Sequence, residues 1–276
     1  MAEWVAFADQ LRRTGRYATP VGFRGRVRDR WLGRFDGYYH GLIAYRVWSC
    51  GARAKRQGLE DGDWAERSLA VLHCVERCGG SVRIEMPAGR LSCCTPCVYV
   101  ANHMSVLETL LLPCILLPFG HPTIVVKEDL LRYPGLCHTL KAVDPIAVTR
   151  RHPRRDLKTV LTRGRESLSA GKSVLVFPQS TRRVAFDPGT FNSLGAKLAA
   201  RSGVPVVPIA LKTDFSGLGP VVKEFGRIDR TRTVHFRFGQ PLDAAADQKR
   251  THADTVAFIA GALREWGGTV VGDEPG

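Results

Sequence analysis

The stretch PCVYVANHMSVLETLLLPCILL, residues 96–117, decides the fold class. Its first six residues, 96–101, form an apolar run without polar alternation, which is typical of a strand buried on both faces. The segment 105–117 has the composition of a helix. Asn102 and His103 lie in between, so a buried strand leads through a short polar loop into a helix. This order predicts one unit of a parallel α/β sheet.

The same alternation continues on both sides of this stretch. The segments predicted as strands are 81–86, 96–101, 123–127, 142–148, 173–178, 204–212 and 233–239. The segments predicted as helices are 4–11, 38–55, 105–117, 128–140, 154–171, 191–203 and 249–266. Helices between strands favour parallel neighbours, so we predict an α/β fold with a mostly parallel sheet flanked by helices. In such sheets ligands bind beyond the carboxyl ends of the strands.

The first 80 residues differ in composition from the rest. Eight arginines and one acid, Asp29, lie between residues 12 and 34, interleaved with aromatic residues. This mixture suits the headgroup region of an anionic membrane, and it equally suits a solvated basic face whose aromatics pack inward. We predict a basic helical membrane-associating region at 1–80, an α/β catalytic domain at 81–245, and a C-terminal helix and tail at 246–276.

The net charge is strongly positive, with 40 Lys and Arg against 26 Asp and Glu and a formal charge of +14. Such a surface favours a polyanion: nucleic acid, an anionic membrane or a phosphorylated small molecule. No recognisable nucleic-acid-binding motif accompanies the charge, so no nucleic-acid partner is expected. No apolar run approaches the roughly 20 residues of a membrane span, and the N-terminus lacks signal-peptide features. We expect a cytoplasmic protein that lies peripherally on the inner face of the cell membrane.

The eight cysteines include a spacing close to that of a zinc ribbon. The pairs are Cys74 with Cys78 and Cys94 with Cys97. However, the first pair falls in a helix-like segment and Cys97 opens a buried strand, which favours free thiols that pack as small hydrophobic residues. No metal site is predicted.

The segment NHMSVLET, 102–109, admits two interpretations. Ser105 and Glu108 form a capping box, in which the carboxylate reaches back to the Ser105 amide. Alternatively, His103 folds back over the first helical turn, and Glu108 accepts from one ring nitrogen and leaves the other free as a base. The capping box does not explain the residues that precede it, Asn102 and His103.

Two further loops at strand ends carry basic residues. In VFPQSTRR, 176–183, hydroxyls and Arg182 suit an anionic oxygen, although a turn that bonds its own backbone is the alternative. In DPIAVTRR, 144–151, the strand delivers Arg150, and the alternative is a solvated basic helix start.

Taken in order, NHMSVLE, DPIAVTRR, FPQSTR and VPVVPIAL resemble the four blocks of the glycerolipid acyltransferase family, typified by 1-acylglycerol-3-phosphate acyltransferases. The resemblance covers roughly residues 81–241. It implies transfer of a fatty acyl group from acyl-CoA or acyl carrier protein directly to a lysophospholipid hydroxyl, in phospholipid biosynthesis, with no other cofactor.

The resemblance also implies a role for each block. His103 is the general base and Glu108 orients it, as an HX4E motif. The substrate-binding residues that it implies are Asn102, Ser105, Lys127, Arg150, Gln179, Ser180, Thr181 and Arg182. Two departures stand out: Glu108 replaces the Asp that usually ends the first block, and QSTR replaces E-G-T-R in the third. The second removes a carboxylate and bears on the identity of the acceptor.

Two other functions remain open. The acceptor could be another lyso-lipid, for example an aminolipid. The protein could instead be a catalytically silent lipid-binding protein with the same fold.

Overall fold

The structure is a computed structural model that describes residues 2–23, 27–87, 96–179, 181–220 and 222–273. Its strands are β1 (Arg16–Ala18), β2 (Ser81–Glu85), β3 (Val98–Ala101), β4 (Pro122–Lys127), β5 (Ile146–Val148), β6 (Ser173–Val176), β7 (Val206–Lys212) and β8 (Thr233–Phe238). Its α-helices are α1 (Ala2–Thr14), α2 (Val27–Leu32), α3 (Asp36–Gln57), α4 (Asp61–Arg77), α5 (Leu107–Leu116), α6 (Cys137–Ala142), α7 (Pro153–Ser169), α8 (Leu194–Ser202) and α9 (Gln248–Glu265). Short 3-10 helices occupy Leu117–Phe119, Glu128–Arg132 and Pro188–Thr190.

The described strands form one sheet in the order β1-β2-β8-β7-β3-β6-β4-β5. The five strands from β7 to β5 are all parallel to their neighbours within that group. β1 runs antiparallel to β2, and β8 runs antiparallel to β7. The predicted α/β fold with a mostly parallel sheet is confirmed.

The central strand β3 shows why both faces of the sheet are buried. Val98 and Val100 lie in a core with residues of α7, α8 and α9. Tyr99 and Ala101 point the other way, into a core with residues of α1, α3, α4 and α5. Because successive side chains of a strand alternate in direction, a strand with a helical layer on each side is apolar throughout.

The N-terminal helix α1 packs against α4, α5 and the 3-10 helix that follows α5. The Trp4 indole donates to the Cys114 carbonyl at 3.3 Å, and Arg12 Nε donates to the Pro118 carbonyl at 2.9 Å. β1 pairs with β2 at the edge of the sheet. Part of the first 80 residues therefore shares one core with the sheet, and the division into three domains stays a prediction.

Two predicted elements differ from the structure. The helix predicted over 128–140 is split into a 3-10 helix and α6, because Pro134 and the left-handed Gly135 (φ 81°) lie between them. The strand predicted over 142–148 begins only at Ile146. Within the described ranges, no helix combines the length and the apolar character that a membrane span requires.

Candidate active site

The predicted site residues come together at the carboxyl ends of the parallel strands. His103 follows β3, Lys127 ends β4, Arg150 follows β5, and Arg182 follows β6. The ends of parallel strands meet at one edge of a sheet, which is where α/β proteins bind ligands. The structure therefore brings the three polar loops predicted from the sequence into one region.

His103 and Glu108 are in direct contact, as predicted. His103 Nδ1 lies 2.9 Å from Glu108 Oε1, and the carboxylate is fully buried. Burial opposes ionisation, but hydrogen bonds from His103 and Thr213 outweigh it and lower the pKa of Glu108 below its ordinary value. The ionised carboxylate can only accept, so Nδ1 carries the proton and Nε2 is left as the basic nitrogen of His103.

The Glu108 carboxylate is held by several donors in addition to His103. Its Oε1 accepts from the backbone amides of Met104 at 2.7 Å and Ser105 at 2.8 Å. Its Oε2 accepts from the hydroxyls of Ser105 at 2.8 Å and Thr213 at 2.6 Å. The carboxylate therefore makes both the contact to His103 and the backward contact to the Ser105 amide that the capping box predicts, while α5 itself begins at Leu107.

Three polar side chains fix the loop that carries His103. The buried Asn102 side chain exchanges two 2.8 Å hydrogen bonds with the backbone of Leu211, which ties the end of β3 to β7. Gln179 Oε1 accepts from the His103 amide at 2.6 Å. Ser105 Oγ accepts from the Leu107 amide at 3.1 Å. In this structure these side chains position His103, and direct contact with a substrate stays a prediction for each.

Two contributors to the site were not predicted from the sequence. Thr213 directly follows β7 and is fully buried against Glu108. The Phe177 ring stacks on His103 with ring centroids 4.5 Å apart. The signal for both was their position just after a buried strand, the same signal that selected His103.

The backbone of Arg150 is held in an unusual conformation. Its φ of 57° is left-handed, which is uncommon for a residue other than glycine. Asp156 Oδ2 accepts from the Arg150 amide at 2.7 Å, and Asp156 Oδ1 accepts from the Thr149 amide at 2.9 Å. The Asp156 carboxylate thereby fixes the direction in which the chain leaves β5.

Arg150 and Arg182 lie close enough for the charge of one to affect the other. Burial, and then the nearby Arg182 guanidinium, lower the pKa of Arg150. Arg182 Nη2 donates to Glu224 at 2.5 Å, and Lys127 Nζ lies 2.5 Å from Asp129. This cationic group suits an anion.

Two predicted residues of the third block remain, Ser180 and Thr181. Thr181 is partly buried in the loop after β6. Ser180 lies outside the described residues, so its predicted contact stays a prediction.

Two cavities meet at His103. The inner cavity, of about 130 Å³, lies between α3, α4, α6 and β4. Its lining includes Cys50, Trp64, Val71, Ile124, Val126, Leu140, Lys127 and Arg150. The outer cavity, of about 380 Å³, runs beside α3. Its lining includes His40, Ile43, Trp48, Val106, Tyr133, Phe225, Arg182 and Glu224. Both are mostly apolar, and both are lined by His103, Thr109 and Leu110.

Where the structure describes them, the cysteines of the zinc-ribbon spacing are buried free thiols. Cys74 and Cys78 are buried at the end of α4, and burial raises the pKa of Cys78 to about 12. Cys94 lies outside the described residues. Within the described part of the chain, no three His, Cys, Asp or Glu side chains are grouped to hold a metal ion. The prediction of a site without metal stays a prediction.

Part of the chain is similar to known acyltransferases. Residues 87–212 match the sequence profile of the family described as Acyltransferase. The 1-acyl-sn-glycerol-3-phosphate acyltransferase of Pseudomonas aeruginosa is 37% identical over 115 residues, which cover 42% of this chain and 44% of that protein. A chloroplastic 1-acyl-sn-glycerol-3-phosphate acyltransferase of Brassica napus is 34% identical over 118 residues, 42% of this chain and 33% of that protein. The chain thus spans less than half the length of these relatives.

A solved structure shows the same fold. The crystal structure of the 1-acyl-sn-glycerophosphate acyltransferase PlsC from Thermotoga maritima matches with a TM-score of 0.56 and 20% identity. The match covers 87% of this chain and 96% of that one. Fold, sequence profile and relatives therefore agree with the resemblance of the four blocks. Residues 87–212 of this chain are thus similar to the acyltransferase family, and the fold is that of a solved acyltransferase.

Proposed function

We propose that this protein is an O-acyltransferase. It moves a fatty acyl group from acyl-CoA or acyl carrier protein to the free hydroxyl of a lysophospholipid such as 1-acylglycerol-3-phosphate. The observation that carries the proposal is the His103–Glu108 pair on the wall shared by two mostly apolar cavities. A reaction between two acyl-bearing substrates needs space for two chains beside one base. The names of the relatives support the same acceptor.

The chemistry follows from the protonation of the pair. His103 Nε2 accepts the proton of the acceptor hydroxyl, while Glu108 stabilises the imidazolium through Nδ1–H. The hydroxyl oxygen attacks the thioester carbonyl, an ester C–O bond forms and the C–S bond breaks. The proton on His103 then passes to the thiolate that leaves. A positioned base contributes about 10²–10⁴-fold to such a step.

Arg150 and Arg182 are the proposed partners of the acceptor phosphate, with Lys127 beside them. Guanidinium groups bind phosphate oxygens through two parallel hydrogen bonds, and a partly buried site strengthens those bonds. The proximity of the two guanidiniums supports this role, because burial and then the Arg182 charge lower the pKa of Arg150, and an anion between the two groups relieves that repulsion.

Peripheral attachment to an anionic membrane surface is part of the proposal. Around the outer cavity, Trp48, Tyr133 and Phe225 are each more than half exposed. Exposed aromatic side chains beside basic residues suit the headgroup region. A lysolipid could then enter the outer cavity from the membrane, with its chain kept away from water. Attachment at the inner face of the cell membrane belongs to the same proposal.

The test is acceptor-dependent release of CoA thiol from palmitoyl-CoA by the purified chain. The wild type is compared with His103→Ala and Glu108→Gln on 1-acylglycerol-3-phosphate, an acylated aminolipid and a neutral monoacylglycerol. We expect release with at least the first acceptor and a loss of about 10²-fold or more in both variants. The same panel is repeated with acyl carrier protein as donor.

Two results would count against the proposal. No release with any acceptor or donor, together with tight binding to liposomes, would indicate a lipid-binding protein. Release that persists in His103→Ala would remove His103 as the base. Release with the aminolipid alone would keep the reaction and change the acceptor.

A further inference from the structure

The ion pair between Arg182 and Glu224 lies inside the cleft where the proposed reaction would take place. Arg182 Nη2 donates to Glu224 Oε1 at 2.5 Å, and the two residues line the outer cavity together with His103. Glu224 belongs to the loop between β7 and β8, 42 positions away in sequence. The Glu224 carboxylate is therefore already paired with the guanidinium that is proposed to bind the phosphate.

The contact leaves the guanidinium of Arg182 incompletely satisfied. Its second terminal nitrogen, Nη1, is buried and has no hydrogen-bond partner among the residues that the structure describes. A buried donor without a partner is costly, and such groups in native structures call for an explanation. A phosphate has enough oxygens to bond both nitrogens, whereas the present carboxylate contact uses one. The arrangement thus corresponds to an anion-binding site in which one acidic side chain, Glu224, takes the place of the anion.

The loop that carries Glu224 is fixed to α3 at two positions just after that residue. The ring of His40 bonds to the Gly226 carbonyl at 2.9 Å, and Asp36 accepts from the Ile228 amide at 3.1 Å. The carboxylate is consequently presented to the cleft by the fold. The Arg182 charge also lowers the pKa of Glu224, against the effect of its partial burial, so the side chain is anionic.

We propose that Glu224 is a specificity-determining residue that selects acceptors by the charge of their headgroup. Its carboxylate competes with the anionic group of the acceptor for Arg182, and binding requires its displacement. The inference rests on the proposed function, and it assigns to Glu224 a role that the four sequence blocks do not contain. The third block lacks its usual carboxylate at Gln179, and Glu224 places one beside Arg182 from another loop.

The decisive variant is Glu224→Gln, which keeps the shape and the hydrogen bond but removes the charge. Binding of glycerol 3-phosphate is measured by calorimetry on the wild type, Glu224→Gln and Arg182→Ala. Glu265→Gln is the matched control, since Glu265 pairs with Arg237 at 2.8 Å on the surface. We expect about tenfold tighter binding in Glu224→Gln, no change in the control, and loss of binding in Arg182→Ala. The double variant of both residues should bind no better than Arg182→Ala.

The kinetic test uses two acceptors with the same chain, 1-acylglycerol-3-phosphate and 1-acylglycerol. In Glu224→Gln the KM for the phosphate acceptor should fall severalfold with kcat little changed, and the KM for the neutral acceptor should stay the same. Unchanged or weaker phosphate binding, or an equal fall in KM for both acceptors, would overturn the inference. Absence of transfer in the wild type would overturn the proposed function alone, because the calorimetric comparison would still decide the role of Glu224.

Discussion

At the residue scale, Glu108 is the position where stability and proposed chemistry depend on the same contacts. Its buried carboxylate accepts from His103, Thr213 and backbone amides. Glu108→Gln should lower the free energy of unfolding by about 3 kcal/mol near neutral pH, because it replaces a charged acceptor by an amide in a buried network. Equilibrium denaturation in urea measures this, with the exposed Glu166→Gln as control.

The pH dependence of that difference has a definite sign. Folding lowers the pKa of Glu108, so its contribution is fully present above the ordinary carboxyl range and is lost as pH falls through the native pKa. The difference between wild type and Glu108→Gln should therefore shrink as pH falls below about 4.5. A difference that stays constant down to acid unfolding would contradict an ionised Glu108 in the native state.

Phe177 gives a second prediction at this scale. Its ring stacks on His103 and lines the inner cavity. Phe177→Ala should reduce kcat for acyl transfer about tenfold, because an imidazole free to tilt loses its alignment with the acceptor hydroxyl. Steady-state kinetics should show a smaller loss in Phe177→Leu, which keeps apolar packing. Equal kcat values for Phe177→Ala and wild type would show that Glu108 alone orients the ring.

At the element scale, the start of α7 supports the basic loop after β5. Asp156 in the first turn accepts from the backbone of Thr149 and Arg150 and holds the left-handed φ of Arg150. Asp156→Ala should raise the KM for a phosphate-bearing acceptor about tenfold and leave kcat nearly unchanged, because Arg150 loses its fixed direction. Glu166→Ala on the same helix serves as control. A parallel fall in kcat would indicate a wider disturbance of the site.

At the scale of the whole molecule, the net charge favours an anionic surface, and exposed aromatic side chains lie beside the outer cavity. The chain carries a formal charge of +14, and Trp48 on α3 is 62% exposed beside the outer cavity. Trp48→Ala should weaken partition onto vesicles rich in anionic lipid about tenfold, because an interfacial aromatic anchor is lost. Sedimentation with vesicles measures this, and Leu157→Ala on α7, across the sheet, is the control. Binding that is insensitive to both Trp48→Ala and salt would argue against this surface.

The sequence by itself determined the alternation of strands and helices from β2 onward and the loops at the strand ends, and it offered the contact between His103 and Glu108 as one of two interpretations. These features depend on neighbouring residues: an apolar run forms a buried strand, and Ser105 with Glu108 begins a helix whatever lies beyond it. The same local reasoning failed at residues 128–140, where Pro134 and Gly135 divide the helical pattern.

Only the tertiary structure decided which distant side chains meet at His103. Thr213 reaches Glu108 across 105 positions of sequence, and Glu224 reaches Arg182 across 42. The antiparallel β8 and the two cavities likewise arise from packing between separate elements. Such contacts carry no periodic signal in the sequence, because packing and loop closure, which join segments far apart in the chain, set them.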